Sequence, residues 1–408
     1  MERGLDPMTT NLVVADPERT DKTICLAVSP SMKALGVKNR CRVFEIPKGI
    51  DYIMAPPRMQ KYIDYSCEIY GTYLNYISRD DIYVYSIDEV FMDITHYLKL
   101  YEKTPRELAV FLMDEVTKKV GVRATAGIGT NLYLTKIALD ITAKHSPDFI
   151  GYLDEQLFID TLWDHEPLRD FWRIGPGTER RLLERGITNM RGIANADETM
   201  LYRMFGIDAE LLIDHAWGRE PVTLQDIKKY RPETHSLSEG QVLKRDYRVE
   251  EARLILKEMV TELCLRLSKR RLVCQSFTIN LVYSRKLGVP VEAATAQFGV
   301  PTNAETIILR QVLSTYDLMV IPEFTIRGIY LSANNTQEDV GEIQLNMFEE
   351  CAPEIMDRDG RIQDAMLAIK DKYGKNAMFK ARDLEEGATT LERNMQIGGH
   401  KSGKETGE

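Results

Sequence analysis

Apolar positions along this chain recur with two periods, and the switches between them mark the elements. Thr23 to Val28 is a mostly apolar run of strand length after twenty polar, turn-rich residues, and reads as a buried strand. Ser29-Pro30-Ser31 supplies an N-cap with proline at the first helical position, opening a short helix through Lys33, Ala34 and Leu35 that stops at Gly36. Pro56-Pro57 starts an amphipathic segment in which Met59, Tyr62, Ile63, Ile69 and Tyr70 fall near helical spacing, so its aromatics belong to a core. Ile82 to Tyr85 and Val90 to Met92 are β-branched, aromatic or apolar, and predict neighbouring strands of a hairpin with Ser86 to Glu89 at the reversal. Thr104-Pro105-Arg106-Glu107 is a capping box, and Leu108, Leu112 and Val116 give the following helix a buried stripe that ends at Gly121. Val122 to Ile128 reads as a strand leading through Gly129 into a helix from about Asn131 to Lys144.

Beyond Trp163 the character changes to short helices and glycine turns as far as Arg219, followed by a polar, charged linker from Val222 to His235. A helix near Val249 to Arg271 and strands such as Ser276 to Val282 and Phe324 to Leu331 predict an α+β module. Asp359 to Tyr373 fits an amphipathic helix, and Thr389 to Glu408 is expected to be disordered. The 408 residues are too many for one ordinary core, so the expected fold is α+β with several domains.

Composition narrows the function classes. The chain contains no apolar run long enough to span a membrane, and its polar start lacks the apolar centre of a signal peptide, which points to the cytoplasm. Six scattered cysteines without zinc-like spacing are expected to be free, buried thiols. A net charge of −9 argues against a nucleic-acid partner. The average hides a segregation: between Lys228 and Lys286 acidic residues are half as many as basic ones, while Glu338 to Asp359 is rich in acids. A basic module joined to an acidic tail suits a DNA binder better than the total does.

Candidate chemistry centres on Asp88 and Glu89. In a straight strand these neighbours point to opposite faces, but a tight bend lets both reach one point. Two acids converging in apolar surroundings repel unless a cation lies between them, and oxygen-only donors suit Mg²⁺ completed by substrate phosphates. The plain alternative is a solvated acidic turn.

YSIDEVFMDIT resembles the palm motif of the Y-family (translesion) DNA polymerases, whose S-I-D-E hairpin supplies two of three metal-binding carboxylates. FEIPKGIDYIMAPPRMQKYIDYSCEIY resembles the UmuC-like, ImpB/MucB/SamB-type branch. The resemblance implies a right-hand polymerase: a palm start and fingers at 1–75, palm at 76–162, thumb at 163–221, a linker at 222–235, a little finger at 236–335 and a partly disordered acidic tail at 336–408. It implies two Mg²⁺ ions, with Asp88 and Glu89 as ligands and catalytic residues, and primer–template DNA and dNTP as partners. GIGTNLYLTKIALDITAK matches the family's triphosphate-contacting segment, with Lys136 at its second lysine and Leu132 at its first. A helix start of this kind also turns backbone N–H groups toward phosphate, with Lys136 projecting from its early turns. Pro30 and Lys33 stand where the family has an aromatic residue and an arginine, so Lys33 would serve as a point charge on the triphosphate. Ile174-Gly175-Pro176-Gly177 matches a helix-hairpin-helix, in which Gly175 and Gly177 let backbone amides approach a DNA phosphate; Phe205-Gly206-Ile207 resembles a degenerate second one. Lys244 and Arg245 fall in the basic module that would follow DNA backbone, and Gln344, Leu345, Met347 and Phe348 form a peptide that resembles a bacterial sliding-clamp motif.

The family's opening strand with its aspartate, and the aromatic residues after it, have no counterpart ahead of Met1-Glu2-Arg3. The expectation is that Met1 is an internal methionine of a longer frame and that the 408-residue chain polymerises poorly, since Asp93 corresponds to an additional aspartate of the family. The first reading is an error-prone translesion polymerase. The alternative is a catalytically impaired DNA- and clamp-binding regulator. A nucleotide cyclase with a similar palm would explain the acids but neither the glycine turn nor the tail.

Overall fold

Period two in the second half of the chain builds the largest sheet. Along Leu272–Tyr283 the side chains of Phe277, Ile279, Leu281 and Tyr283 fall on one face and are buried. The computed structural model describes residues 4–232, 235–284, 288–341 and 353–403. Its contacts divide the chain into two units, Met1–Met59 with Arg231–Glu408, and Gln60–Tyr230.

In the first unit, Glu292–Thr302, Leu272–Tyr283, Ile326–Asn334 and Ser236–Tyr247 lie side by side in that order, each neighbouring pair antiparallel. Ser236–Tyr247 and Leu272–Tyr283 are therefore parallel to each other, split by Ile326–Asn334 and joined through the helix Val249–Lys269. That helix and Glu305–Met319 bury Ile255, Met259, Leu263, Ile308 and Val312 against the sheet. Near the N-terminus, Leu12–Val14 lies between antiparallel Ala27–Val28 and parallel Ile53–Ala55. The expected strand at 23–28 is thus confined to its last two residues, and a strand sits in the stretch read as irregular. Ser29 caps the helix Pro30–Ala34 as its sequence requires, accepting from the Met32 N–H.

The disorder expected from Thr389 to Glu408 is overturned as far as Gly403, the last residues lying outside those described. The helix Pro353–Tyr373 packs on the first unit, where the buried carboxylate of Asp359 accepts from the Thr306 N–H at 2.7 Å and its hydroxyl at 3.0 Å. The chain then crosses the module as a strap. Lys380 and Arg382 pair with buried Glu305 at 2.6 and 2.8 Å. Buried Glu258 accepts from the Thr389 and Thr390 N–H groups at 3.0 Å and from the Thr389 hydroxyl at 2.8 Å. A final hairpin, Gln396–Ile397 with His400–Lys401, reaches the N-terminal segment, where Lys401 lies 3.5 Å from Asp16 and Arg19 donates to the Gly399 carbonyl at 2.6 Å.

In the second unit, the hairpin Ile82–Val84 and Val90–Met92 pairs Ile82 with Met92 and Val84 with Val90. Its inner face packs with Tyr73 of the helix Met59–Tyr73 and with Leu108, Leu112 and Val116 of Pro105–Val120, the stripe read from sequence. Thr104 and Glu107 close the expected capping box and Gly121 ends the helix with φ 74°. Ala126–Gly129 and Ile150–Leu153 form a parallel pair joined through the helix Leu132–Ile137. Short helices from Glu155–Leu162 to Asp208–Ala216 share one core with Tyr133, Leu134 and Ile137. The linker expected from Val222 contains a helix, Leu224–Lys229, started by a Thr223–Asp226 capping box. Cys67 is exposed, not buried as expected, while Cys25, Cys41, Cys264 and Cys274 are buried free thiols.

Glu258→Ala would leave two backbone donors and a hydroxyl unpaired beneath the strap. It is expected to destabilise the protein by about 2–4 kcal/mol in denaturant unfolding and to open residues 374–403 to limited proteolysis. Unchanged stability and protease resistance would show that the strap is held by other contacts.

Candidate active site

The reversal between Val84 and Val90 is tight because one carbonyl collects two donors. The Tyr85 and Ser86 N–H groups both point to the Glu89 oxygen, at 3.0 and 3.1 Å. Ser86 fixes the bend further, donating its hydroxyl to Asp88 Oδ1 at 2.7 Å and accepting from the Asp88 N–H at 3.3 Å. Asp88 is exposed and Glu89 half-buried, so the apolar surroundings expected for the pair are not what holds it.

A cation does lie beside the acids, and it belongs to the chain. Lys136 Nζ sits 2.7 Å from Glu89 Oε2 and 3.1 Å from Asp140 Oδ2, with only 6% of the residue exposed. Lys136, read as projecting from the early turns of its helix toward a triphosphate, has its ammonium buried under the acidic turn. Burial pulls its pKa down, but Glu89 and Asp140 together more than offset that and hold it above the ordinary lysine range. Asp140 lies in the segment matched to the family, one helical turn after Lys136, but was given no role there.

The lysine gets there through close packing. A Cβ on Gly127 would meet the Thr135 carbonyl at 2.3 Å, one on Gly129 the Thr135 nitrogen at 2.3 Å, and one on Gly151 the Ala138 carbonyl at 2.3 Å. These glycines let the crossover helix lie directly on the strand pair. Gly129 thus serves packing, and at the helix start Asn131 accepts from the Leu134 N–H at 2.9 Å. Asp93 accepts from the Thr95 N–H at 3.0 Å, next to the helix Thr95–Leu100, which accounts for it without a metal.

Among the described residues, no hydrogen bond reaches Asp88 Oδ2 or Glu89 Oε1, and no group of three His, Cys, Asp or Glu side chains gathers as a metal cage. Two carboxylate oxygens at an exposed bend fit a hard cation completed by substrate oxygens.

Gly175 is the N-cap of Pro176–Leu183, and both Gly175 and Gly177 are exposed with open space where a Cβ would stand. The element before the turn is a three-residue 3₁₀ turn, Leu168–Asp170. Gly206, with φ 64°, separates Glu198–Phe205 from Asp208–Ala216. Lys33 is exposed in the last turn of Pro30–Ala34, within the other unit. In that unit Lys244 pairs with Glu392, and Arg245 grips Glu251 with both terminal nitrogens, so neither cation stands free. Gln344, Leu345, Met347 and Phe348 lie outside the described residues.

Two family models match the chain, the impB/mucB/samB family over residues 1–140 and its C-terminal domain over 234–347. The chain belongs to the Y-family DNA polymerases, in the ImpB/MucB/SamB branch. Among its relatives is a Bacillus subtilis (strain 168) protein named for UV-damage repair, UvrX, 29% identical across 98% of this chain and 93% of its own length. DNA polymerase IV 2 of the same organism is 29% identical across 98% of this chain and 95% of its own. A Y-family polymerase chimera of Dbh and Dpo4 shares the fold with a TM-score of 0.61, covering 81% of this chain and 93% of the chimera at 21% identity. These Y-family relatives are named for polymerisation and repair, which does not favour the regulator alternative. No described helix is long and apolar enough to cross a membrane.

Near the core of the short helices, His215 stacks on Tyr133 at 3.9 Å and meets Glu220 at 3.0 Å, both members of the pair being buried. Burial holds its imidazole below the ordinary histidine range against the opposing pull of Glu220. With the folded pKa lowered, the unfolded chain takes up the proton first. The stability tied to neutral His215 is complete above about pH 6.5 and is lost as pH falls toward the folded value. The melting temperature is expected to fall further between about pH 7 and about pH 5 in the parent than in His215→Gln; equal falls would assign the acid sensitivity elsewhere.

Proposed function

We infer that the chain is a translesion DNA polymerase, adding a deoxynucleotide to a primer 3′-hydroxyl opposite damaged template. The observation that carries the reading is the acidic turn, two carboxylates at a rigid reversal with an internal cation beneath them, in a chain of this family. Asp88 and Glu89 would hold Mg²⁺, two ions in all, which supplies activation of the primer hydroxyl and neutralisation of the triphosphate. Lys136 orients Glu89 and keeps its charge balanced; to reach a triphosphate it would exchange one acid partner for a phosphate oxygen. Lys33, exposed in its own unit, is the point charge that the family resemblance would assign to a triphosphate.

The turn at Gly175 and Gly177 offers backbone amides to DNA, consistent with a helix-hairpin-helix in a thumb at 163–221, beside a palm at 76–162. Lys244 and Arg245, in a little finger at 236–335, would reach DNA only by releasing Glu392 and Glu251, which makes them secondary contacts. Gln344 to Phe348 would dock the enzyme on a sliding clamp in the cytoplasm.

Single-nucleotide incorporation with Mg²⁺ tests the centre. Asp88→Asn and Glu89→Gln are each expected to slow the chain by roughly a thousandfold while DNA affinity stays within about twofold; undiminished incorporation would contradict the assignment. Gly177→Val fits the open space at that position, so its melting temperature should match the parent while DNA affinity falls about tenfold. Parental affinity in that variant would remove the turn from the DNA interface.

A further inference from the structure

One aromatic cluster in the second unit lies beside this chemistry, with the Lys136 ammonium 5.7 Å from the centre of the Tyr85 ring. Tyr85, whose N–H holds the Glu89 carbonyl, is 41% exposed, yet its ring is gripped on two sides. Phe91 meets it edge-on at 5.6 Å and Trp172 at 6.0 Å, and its hydroxyl accepts from the Trp172 indole N–H at 3.1 Å. Trp172 lies three residues before Gly175. Between them Arg173 has φ 73°, a conformation that a residue with a side chain keeps only where its surroundings enforce it. Behind Trp172 the His215 ring lies parallel at 6.3 Å, itself fixed by Tyr133 and Glu220. A cavity of about 210 Å³, lined by Trp172, Ile174, Thr178 and Phe205 among others, lies against this stretch.

We propose that Trp172 is a positioning residue that couples the Gly175–Gly177 turn to the acidic turn through Tyr85. This rests on the polymerase reading. The Tyr85 hydroxyl is engaged by the Trp172 indole, and neither side chain is assigned a metal ion or the triphosphate in that reading. A load on the backbone at 173–177, such as a bound phosphate, moves the indole; the indole moves the Tyr85 ring; and the Tyr85 N–H carries the displacement to the Glu89 backbone. DNA held at one turn thereby sets the carboxylates of the other.

The test uses the full chain as parent, Trp172→Phe, Tyr85→Phe and the double variant. Amide hydrogen exchange is followed across Tyr83 to Phe91 with and without primer–template. DNA is expected to slow exchange there in the parent and not in either single variant. In single turnover each single variant should lose about three- to tenfold in rate, the worth of one hydrogen bond, with the double variant no slower and with DNA affinity and melting temperature near parental. Equal protection by DNA in the parent and Trp172→Phe, or losses that multiply in the double variant, would overturn the coupling. Should Trp172→Phe fail to fold, Tyr85→Phe alone decides by the same exchange comparison. Failure of the parent to extend any primer would sink the polymerase reading, while the exchange comparison would still decide the link.

Discussion

The ion pair between Lys136 and Glu89 is the constraint on which the centre depends. A lysine only 6% exposed has given up most of its water, and that is tolerable only because two carboxylates replace it. The dependence is mutual, since the buried ammonium also aligns Glu89 at an otherwise exposed bend. Glu89 keeps 30% of its side chain in solvent, so losing the pair would cost less than the ~3–5 kcal/mol of a fully buried one. It would cost the site its geometry all the same.

That pair is made possible by packing further down. Three glycines, Gly127, Gly129 and Gly151, remove the side chains that would hold the crossover helix away from its strands. The helix therefore lies close enough for a lysine in its last turn to pass beneath the neighbouring hairpin. Close approach of backbone sets the position of the charge, and the charge sets the orientation of a carboxylate.

The acidic hairpin was legible because its signal is local: strand-forming residues on both sides of a serine and two acids give the turn its register directly. The capping boxes and the stripe of Leu108, Leu112 and Val116 were legible for the same reason. Lys136 could be named by resemblance, but not placed, because its burial follows from close packing at Gly127, Gly129 and Gly151, of which only Gly129 was read, as a turn, and from an ion pair with Asp140 that the matched segment does not announce. The strands Leu12–Val14 and Ile53–Ala55 are too short to show a period. The strap from 374 to 403 has few apolar positions; buried carboxylates at Glu258 and Glu305 hold it, and their partners lie 75 to 132 residues away in the chain. The basic module looked free for DNA for a related reason. Composition counts charges, whereas Arg245, Arg253 and Lys244 each have a carboxylate partner in the folded unit.

The central claim is that Asp88 and Glu89 hold the ions of nucleotidyl transfer, and the most direct test is crystallographic. Crystals of the chain with primer–template, a non-hydrolysable dNTP and Mn²⁺ in place of Mg²⁺ would be measured at the manganese absorption edge. The account predicts an anomalous peak within about 2.0–2.3 Å of a carboxylate oxygen of both residues, with Lys136 still paired to Glu89 or moved onto the triphosphate. Manganese bound to the nucleotide with both carboxylates turned away from it would contradict the account.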